Sequence, residues 1–165
     1  FGKRTNPLPQ DVEQAKFYDW RIIKHISKKS QLPVIAKGIL TLHDAKLAIK
    51  NGAKGIWVSN HGGRMFNSGI SSVEALKKVS QIKKQNNKII LIADGSVEKG
   101  TDIIKYLCLG ADMVAIGRAA LYGLIIDGNR GINKIIEILS VELKTAMING
   151  GFRSLNEFKK NRIYE

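Results

Sequence analysis

The chain has 165 residues, of which 44% are hydrophobic and 25% charged. This composition is typical of one soluble globular domain with a sizeable core, and no apolar run approaches the roughly 20 residues of a membrane-spanning helix. The net charge of +13 comes from scattered lysines on predicted outer helix faces, with few aromatic residues among them, so nucleic-acid binding is not favoured.

The polar start of the chain, residues 1–16, predicts a loop or linker and lacks the apolar stretch of a signal peptide. A helix is predicted over 17–28, where apolar residues recur about every three positions. The one cysteine, Cys108, lies in an apolar run, so we expect a buried core residue and a reducing compartment. These features together predict a cytoplasmic protein. Because the first residue is Phe1 and not Met, we expect a piece of a longer protein.

Four strand–helix units follow in order. The predicted strands, all short and apolar, are 33–36, 55–58, 88–93 and 112–116. The predicted helices are 41–51, capped by Thr41, a second helix capped by Ser71 or Ser72, then 99–109 and finally 131–147, reached through a short turn at 121–124. The second helix carries a predicted buried stripe made of Val73, Leu76, Val79 and Ile82.

Strands that alternate with helices predict an α/β fold with a parallel sheet. Four units would make half of a (β/α)8 TIM barrel, which needs eight strands. The competing fold is a doubly wound sheet, which should show a glycine-rich phosphate turn after its first strand. The first strand is followed instead by Lys37, Gly38 and Ile39, so the half-barrel is preferred.

Residues able to do chemistry follow each predicted strand. They are Lys37 after the first strand, Ser59, His61 and Arg64 after the second, Asp94, Gly95 and Ser96 after the third, and Gly117 and Arg118 after the fourth. Because all strands of a barrel end on one face, we expect these side chains to meet in one pocket. The simpler alternative is that the glycines only permit tight turns.

Two kinds of chemistry are suggested by these residues. The last two turns resemble an anion site, since glycines, helix N-termini and Arg118 all favour phosphate. In the second turn, a neutral imidazole at His61 could accept a proton and a guanidinium at Arg64 could hold a carboxylate. The other two histidines, His25 and His43, are expected to be solvated, while Trp20 and Trp57 are expected in the core.

These blocks resemble the FMN-dependent 2-hydroxy-acid oxidases and dehydrogenases, the family of glycolate oxidase, lactate oxidase and the flavin domain of flavocytochrome b2. The likeness spans 17–158, in family order and at family spacing, and places the chain as strands 5–8 of the barrel. The blocks are LPVIAKGI (32–39), SNHGGR (59–64), DGSVEKGTD (94–102) and IGR (116–118). The SNHGGR string is highly specific, whereas the others also occur, in looser form, in other FMN barrels.

The resemblance implies FMN as the cofactor and oxidation of a small L-2-hydroxy acid, lactate-like or glycolate-like, to the 2-oxo acid. It implies that His61 is the catalytic base and that Arg64 binds the substrate carboxylate. Lys37 would contact the pyrimidine side of the flavin, with Ser59 close by. The ribityl-phosphate end would be lined by Asp94, Gly95, Ser96, Gly117 and Arg118. No metal site is expected.

The sequence departs from the family pattern at several points. Ser96 replaces a glycine, and Glu98 replaces an arginine that the family uses on the phosphate. After Arg64 the family usually continues Gln-Leu-Asp, where this chain has MFN at 65–67. The family's N-terminal half, which includes the aspartate that orients the histidine, has no counterpart in these residues. We therefore expect that the chain alone neither binds FMN tightly nor turns over 2-hydroxy acids.

The expected partners are accordingly a missing N-terminal half-barrel and a small 2-hydroxy acid, and the complete enzyme is expected to be a homo-oligomer. Residues 159–165 are expected to form a basic tail. Two alternatives remain open. One is another FMN barrel, similar to type 2 isopentenyl-diphosphate isomerase, although that chemistry has no substrate carboxylate for Arg64 to hold. The other is an inactive remnant whose basic surface binds polyanions.

Overall fold

The computed structural model describes residues 19–64 and 69–160. Outside these ranges lie the predicted polar segment 1–16, the start of the predicted helix at 17, the MFN departure at 65–67 and residues 161–165 of the predicted tail.

Within the described ranges, strands and helices alternate as predicted. The strands are β1 (Ile35–Ile39), β2 (Gly55–Val58), β3 (Ile90–Asp94) and β4 (Met113–Ala115). The helices are α1 (Trp20–Lys29), α2 (Leu42–Lys50), α3 (Ser72–Val79), α4 (Ile82–Gln85), α5 (Gly100–Cys108), α6 (Arg118–Asn149) and α7 (Leu155–Lys160), and a 3₁₀ turn covers His61–Gly63.

The four strands form one parallel sheet in the order β1-β2-β3-β4. Lys37, Trp57 and Ile92 lie side by side across the first three strands. A doubly wound sheet reverses its strand order at a switch point, and this sheet does not. Sequential parallel strands with a helix after each one are the arrangement of a (β/α)8 barrel, so the half-barrel prediction is confirmed.

The two faces of the sheet differ in burial. The face toward the helices contributes core side chains with 0% exposure, namely Ile56, Val58, Leu91 and Ala93. The opposite face keeps solvent exposure at the first residues of three strands, where Ile35, Ile90 and Met113 are 39%, 39% and 51% exposed. In a closed barrel this second face forms the interior. The four strands therefore present half of a barrel interior.

Strand ends differ from the prediction. The sequence predicts the first strand at 33–36, but β1 runs to Ile39, so Lys37 lies inside the strand and not after it. Likewise, β3 includes Asp94. The reason is pairing: both strands hydrogen-bond to β2, which extends the ladder past the apolar runs. The register shifts between Lys37 and Ile39, where Gly38 has a φ of +90°.

Two of the predicted helix starts are confirmed by their caps. The Thr41 hydroxyl accepts the backbone N–H of Asp44 at 3.0 Å at the start of α2. Ser71, one of the two predicted caps, forms a capping box with Glu74 at the start of α3. The predicted stripe is wrong at Val73, which is 38% exposed. Because the helix begins at Ser72, its buried face passes through Ser72, Ala75, Leu76 and Val79.

The predicted short turn at 121–124 is wrong, because these residues are helical in α6. The helix is interrupted later, at Asp127 and Gly128, whose backbone angles are not helical. The two parts of α6 then meet at Gly123 and Gly131, where a Cβ on Gly131 would lie 1.9 Å from the Gly123 carbonyl oxygen. Gly123 thus permits backbone contact between helices, which local sequence does not distinguish from a turn.

Other expectations about single residues are tested directly. Cys108 is buried, as predicted, in a cluster with Ile104, Leu107 and Phe158. His25 and His43 are exposed, also as predicted. In the described part of the chain, no helix has the length and apolar character needed to cross a membrane.

Candidate active site

A cavity of about 520 Å³ opens at the carboxyl ends of β2, β3 and β4. The predicted site residues in its lining are His61, Arg64, Asp94, Gly95, Ser96, Gly117 and Arg118. The other two, Lys37 and Ser59, do not line the cavity. Lys37 forms an ion pair with Asp94, and Ser59 accepts the backbone N–H of His61, and both of these partners line it. The structure therefore brings the residues predicted from four separate turns to one end of the sheet.

Lys37 joins three strands at the edge of the cavity. Its Nζ donates a hydrogen bond to Ser59 Oγ at 3.0 Å and lies 3.4 Å from Asp94 Oδ2. The lysine side chain is 38% exposed and the aspartate side chain 19%. This ion pair is partly exposed, so the charge attraction is screened and the hydrogen bond to Ser59 adds to it in holding the ammonium.

The loop after β2 is held by hydrogen bonds from below. Ser59 is 1% exposed, and its hydroxyl accepts the backbone N–H of His61 at 3.2 Å. The backbone N–H of Asn60 donates to the buried Ser72 hydroxyl at 3.3 Å, and the Asn60 side chain accepts the N–H of Gly62 at 3.1 Å. The hydroxyls of Ser59 and Ser72 and the side-chain amide of Asn60 therefore position the loop.

His61 has a left-handed backbone, with a φ of +54°, which is unusual for a residue other than glycine. Such strain persists only when the surroundings enforce it, and it is concentrated at functional sites. Its ring packs beside Gly38, where a Cβ would lie 3.1 Å from Cε1 of the imidazole. Gly38 thus leaves the space that the ring occupies. No described side chain is hydrogen-bonded to the imidazole.

The turn after β3 also has a left-handed backbone, at Gly95 (φ +123°) and Ser96 (φ +48°). The Tyr106 hydroxyl fixes it from beneath, donating to the carbonyl of Gly95 at 2.8 Å and to that of Asp94 at 3.2 Å. Burial raises the pKa of Tyr106 to about 12, and the negative charges of Asp94 and Asp102 act in the same direction. The phenol therefore stays a neutral donor at physiological pH.

The two helices that begin beside the cavity differ in their free N–H groups. At α5, Asp102 accepts the backbone N–H groups of Glu98 and Lys99 at 3.2 and 3.1 Å, and Glu142 accepts that of Gly100 at 2.7 Å. Burial acts to raise the pKa of Asp102, but hydrogen bonds from Lys105 and from these backbone groups outweigh it and lower the pKa. The start of α5 is thus already occupied by carboxylates.

The start of α6 is different. Gly117 is its N-cap, no side chain caps it, and its first turn contains no acidic residue. A Cβ on Gly117 would meet no atom within 4 Å, and Arg118 follows at the first helical position. Uncapped N–H groups, the positive end of the helix dipole and a guanidinium together suit an anion. Of the two predicted phosphate turns, the one at α6 is therefore the open one.

Glu98 is an exposed carboxylate in the same lining as Arg118. The other carboxylate of the lining, Asp94, is paired with Lys37. Glu98 therefore adds negative charge to a cavity wall that is otherwise suited to anions. The replacement of the family's arginine by Glu98 thus lies in the cavity lining itself.

Two residues of the site are missed by the sequence analysis. Trp57, predicted as core, lines the cavity and donates its indole N–H to Asp94 Oδ2 at 3.0 Å. The alternation of side chains along β2 could have indicated this, because Ile56 and Val58 face the core and Trp57 must face the other way. Tyr106 carries no such signal, since its partners are backbone carbonyls 11 and 12 positions before it.

Comparison with known proteins identifies a family and relatives of similar sequence. The family model described as FMN-dependent dehydrogenase matches residues 4–165. The chain is 40% identical over 163 residues to 2-hydroxyacid oxidase 2 of Homo sapiens, covering 98% of this chain and 46% of that protein. It is 43% identical over 150 residues to an L-lactate oxidase of Lysinibacillus sphaericus, covering 88% of this chain and 38% of that protein.

Solved structures show the same relation. A lactate oxidase from Pediococcus acidilactici matches with a TM-score of 0.84 and 36% identity, over 94% of this chain and 45% of that one. A mandelate oxidase matches with a TM-score of 0.82 and 31% identity, over 87% of this chain and 43% of that one. These neighbours are TIM barrels. The chain spans less than half the length of each protein named.

Proposed function

The chain belongs to the FMN-dependent dehydrogenase family, and we propose from this premise that it forms the catalytic half of an enzyme that oxidises a small 2-hydroxy acid to the 2-oxo acid. The observation that carries the proposal is the placement of His61 and Arg64 in one cavity with a separate anion site at α6. The relatives are 2-hydroxyacid and lactate oxidases, which favours this proposal over an isomerase-like barrel, the first alternative from the sequence.

The residues present fit a flavin mononucleotide at three points. The uncapped start of α6 and Arg118 suit its phosphate, the open space at Gly117 lets that group approach the backbone, and the left-handed turn at Gly95 and Ser96 leaves N–H groups near the same wall. We assign Lys37 and Ser59 to the ring end of the cofactor and Asp94 to its ribityl-phosphate end. When bound, FMN supplies a two-electron acceptor for the oxidation of the alcohol carbon.

Arg64 and His61 act on the substrate in this proposal. The guanidinium of Arg64 holds the substrate carboxylate through two parallel hydrogen bonds, which fixes the orientation of the 2-hydroxy carbon. The imidazole of His61 accepts a proton from the 2-hydroxy acid and keeps it until the 2-oxo acid leaves. The left-handed backbone of His61 and the space at Gly38 support this role, because they direct the ring and leave room for it.

The site needs further structure to work. Within the described ranges no carboxylate orients the His61 ring, and one face of the sheet has the exposure of an unfilled barrel interior. We propose that four more strand–helix units complete the barrel, and that residues 17–158 alone neither bind FMN tightly nor oxidise 2-hydroxy acids. We also propose that the completed protein is a cytoplasmic homo-oligomer, with 1–16 a linker and 159–165 a basic tail.

The test is complementation. The 165-residue chain is produced alone and together with the N-terminal half of an L-lactate oxidase, and each sample is purified and scanned for flavin absorbance. We expect a yellow complex only in the joint sample, and we expect it to convert L-lactate or glycolate to the 2-oxo acid with a dye as electron acceptor. The control is the same pair with His61→Gln, which should remain yellow and lose turnover.

Three outcomes would contradict the proposal in different ways. A yellow, active chain without a partner would show that these residues form a complete site. A yellow complex that oxidises no 2-hydroxy acid, tested over lactate, glycolate and mandelate, would remove the substrate assignment. A joint sample that folds but takes up no flavin would favour the remaining alternative, an inactive basic remnant.

A further inference from the structure

A group of polar contacts centred on Trp57 lies at the strand ends, and Trp57 itself has no role in the proposed function. Trp57 is in register with Lys37 on β1 and with Ile92 on β3. Asp94 comes two residues after Ile92 and therefore projects from the same face of the sheet. Sheet geometry alone thus places an indole between a lysine and a carboxylate.

The indole contacts the two charged groups in different ways. Its Nε1–H donates to Asp94 Oδ2 at 3.0 Å. Its ring lies under Lys37, whose Nζ is 4.9 Å from the ring centroid, within the range of a cation–π interaction. Asp94 Oδ2 therefore accepts from the indole while it also attracts the ammonium at 3.4 Å. The ammonium in turn has three partners, since it also donates to Ser59 Oγ.

We propose that Trp57 is a positioning residue, which keeps the Lys37 ammonium shared between Ser59 and Asp94 at the cavity edge and prevents it from moving wholly onto Asp94. The indole N–H fixes the orientation of the carboxylate, and the ring face attracts the ammonium independently of that carboxylate. Without the indole, the strongest remaining attraction on Lys37 is the opposite charge of Asp94 in a partly buried site. The ammonium would then leave Ser59.

This inference depends on the proposed function in one respect only, which is that the place of Lys37 matters for the cofactor. The contacts themselves join residues of this chain only. They can therefore be tested without FMN, substrate or a second half-barrel, and the outcome is independent of whether the chain takes part in any oxidation.

The experiment is an NMR comparison on the isotope-labelled 165-residue chain. The chain has two tryptophans, so Trp20→Phe identifies the indole signal of Trp57. We expect this N–H to exchange slowly with water, and Asp94→Ala to speed the exchange about tenfold or more, because a hydrogen bond to a charged acceptor is lost. We also expect the signals of the Lys37 methylene next to Nζ to lie upfield, because Nζ lies over the face of the indole ring.

Trp57→Phe separates the N–H from the ring. Phenylalanine keeps an aromatic face but cannot donate, so we expect Lys37 to close onto Asp94 and to lose most of its upfield shift. The double variant Trp57→Phe/Asp94→Ala removes the competing carboxylate, and the upfield shift should return to the size that a phenyl ring produces. Trp20→Phe is the matched control and should leave the Lys37 signals unchanged.

The proposal is wrong if Lys37 has the same shift in Trp57→Phe and in the double variant, since the N–H then does not govern the ammonium. If the Trp57 variants do not fold, the Asp94→Ala comparison decides, and an unchanged indole exchange rate overturns the proposal. A positive NMR result with failed complementation would remove the proposed function alone, and the reverse pattern would remove only the role of Trp57.

Discussion

Gly38 provides the sharpest test of how the site is built, because it combines a strained backbone with a direct contact to His61. An alanine here must adopt a φ near +90°, and its Cβ would lie 3.1 Å from Cε1 of the imidazole. A left-handed backbone costs a residue with a side chain roughly 1–2 kcal/mol. This Cβ–Cε1 distance is also shorter than an ordinary van der Waals contact, so the imidazole ring must move by a few tenths of an ångström. Gly38→Ala should therefore lower stability modestly and displace His61.

The matched control is Gly151→Ala, at a φ of +71° with no atom within 4 Å of the added Cβ. Both variants should lose about 1–2 kcal/mol of unfolding free energy in urea. Only Gly38→Ala should shift the Cε1–H signal of His61, which is assigned among three histidines with His61→Gln. In the completed barrel, Gly38→Ala should also lower turnover. Equal shifts of the His61 signal in both variants, or none in either, would refute the argument that Gly38 makes room for the ring.

Three further predictions concern other parts of the site. Glu98→Arg in the completed barrel should strengthen FMN binding about tenfold, because the charge near the phosphate changes by two units. The affinity for riboflavin, which has no phosphate, should stay the same, and equal effects on both flavins in a fluorescence titration would contradict this. Gly131→Ala should lower the unfolding free energy by roughly 3 kcal/mol through backbone overlap with Gly123. Gly151→Ala, with open space around its Cβ, should lower it by only about 1–2 kcal/mol, and equal losses in urea would contradict the close helix contact. Because the pKa of Tyr106 is raised in the folded chain, the phenol loses its proton at lower pH in the unfolded chain. The contribution of Tyr106 to stability is therefore full below pH 10 and is lost as pH rises through about 12. Tyr106→Phe should flatten that part of a stability–pH profile, and an unchanged profile would contradict the raised pKa.

The fold could be predicted from the sequence because its determinants are local and repeated. Short apolar strands and capped helices follow one another four times, and Thr41 and Ser71 cap helices where the sequence indicates. Errors occur where pairing or packing overrides local pattern. β1 extends through Lys37 because β2 lies beside it, and residues 121–124 are helical because Gly123 packs against Gly131.

The site could be predicted only in part. Its residues follow the strands, and parallel strands end on one side, so convergence at one cavity follows from topology alone. Topology does not tell which of these residues hold one another in place. Trp57 on β2 and Tyr106 on α5 both hydrogen-bond to the end of β3, and neither has a neighbour in sequence that indicates the contact.

The sequence by itself determined the order of strands and helices, the half-barrel and the residues that reach its carboxyl end, because hydrophobic period, caps and a specific motif are written in consecutive residues. Only the tertiary structure decided that α5 is closed to anions while α6 is open, since Glu142 reaches Gly100 from 42 positions away. It also decided that Lys37 is shared among Ser59, Asp94 and Trp57. Such contacts depend on how distant segments pack, and local sequence carries no measure of that distance.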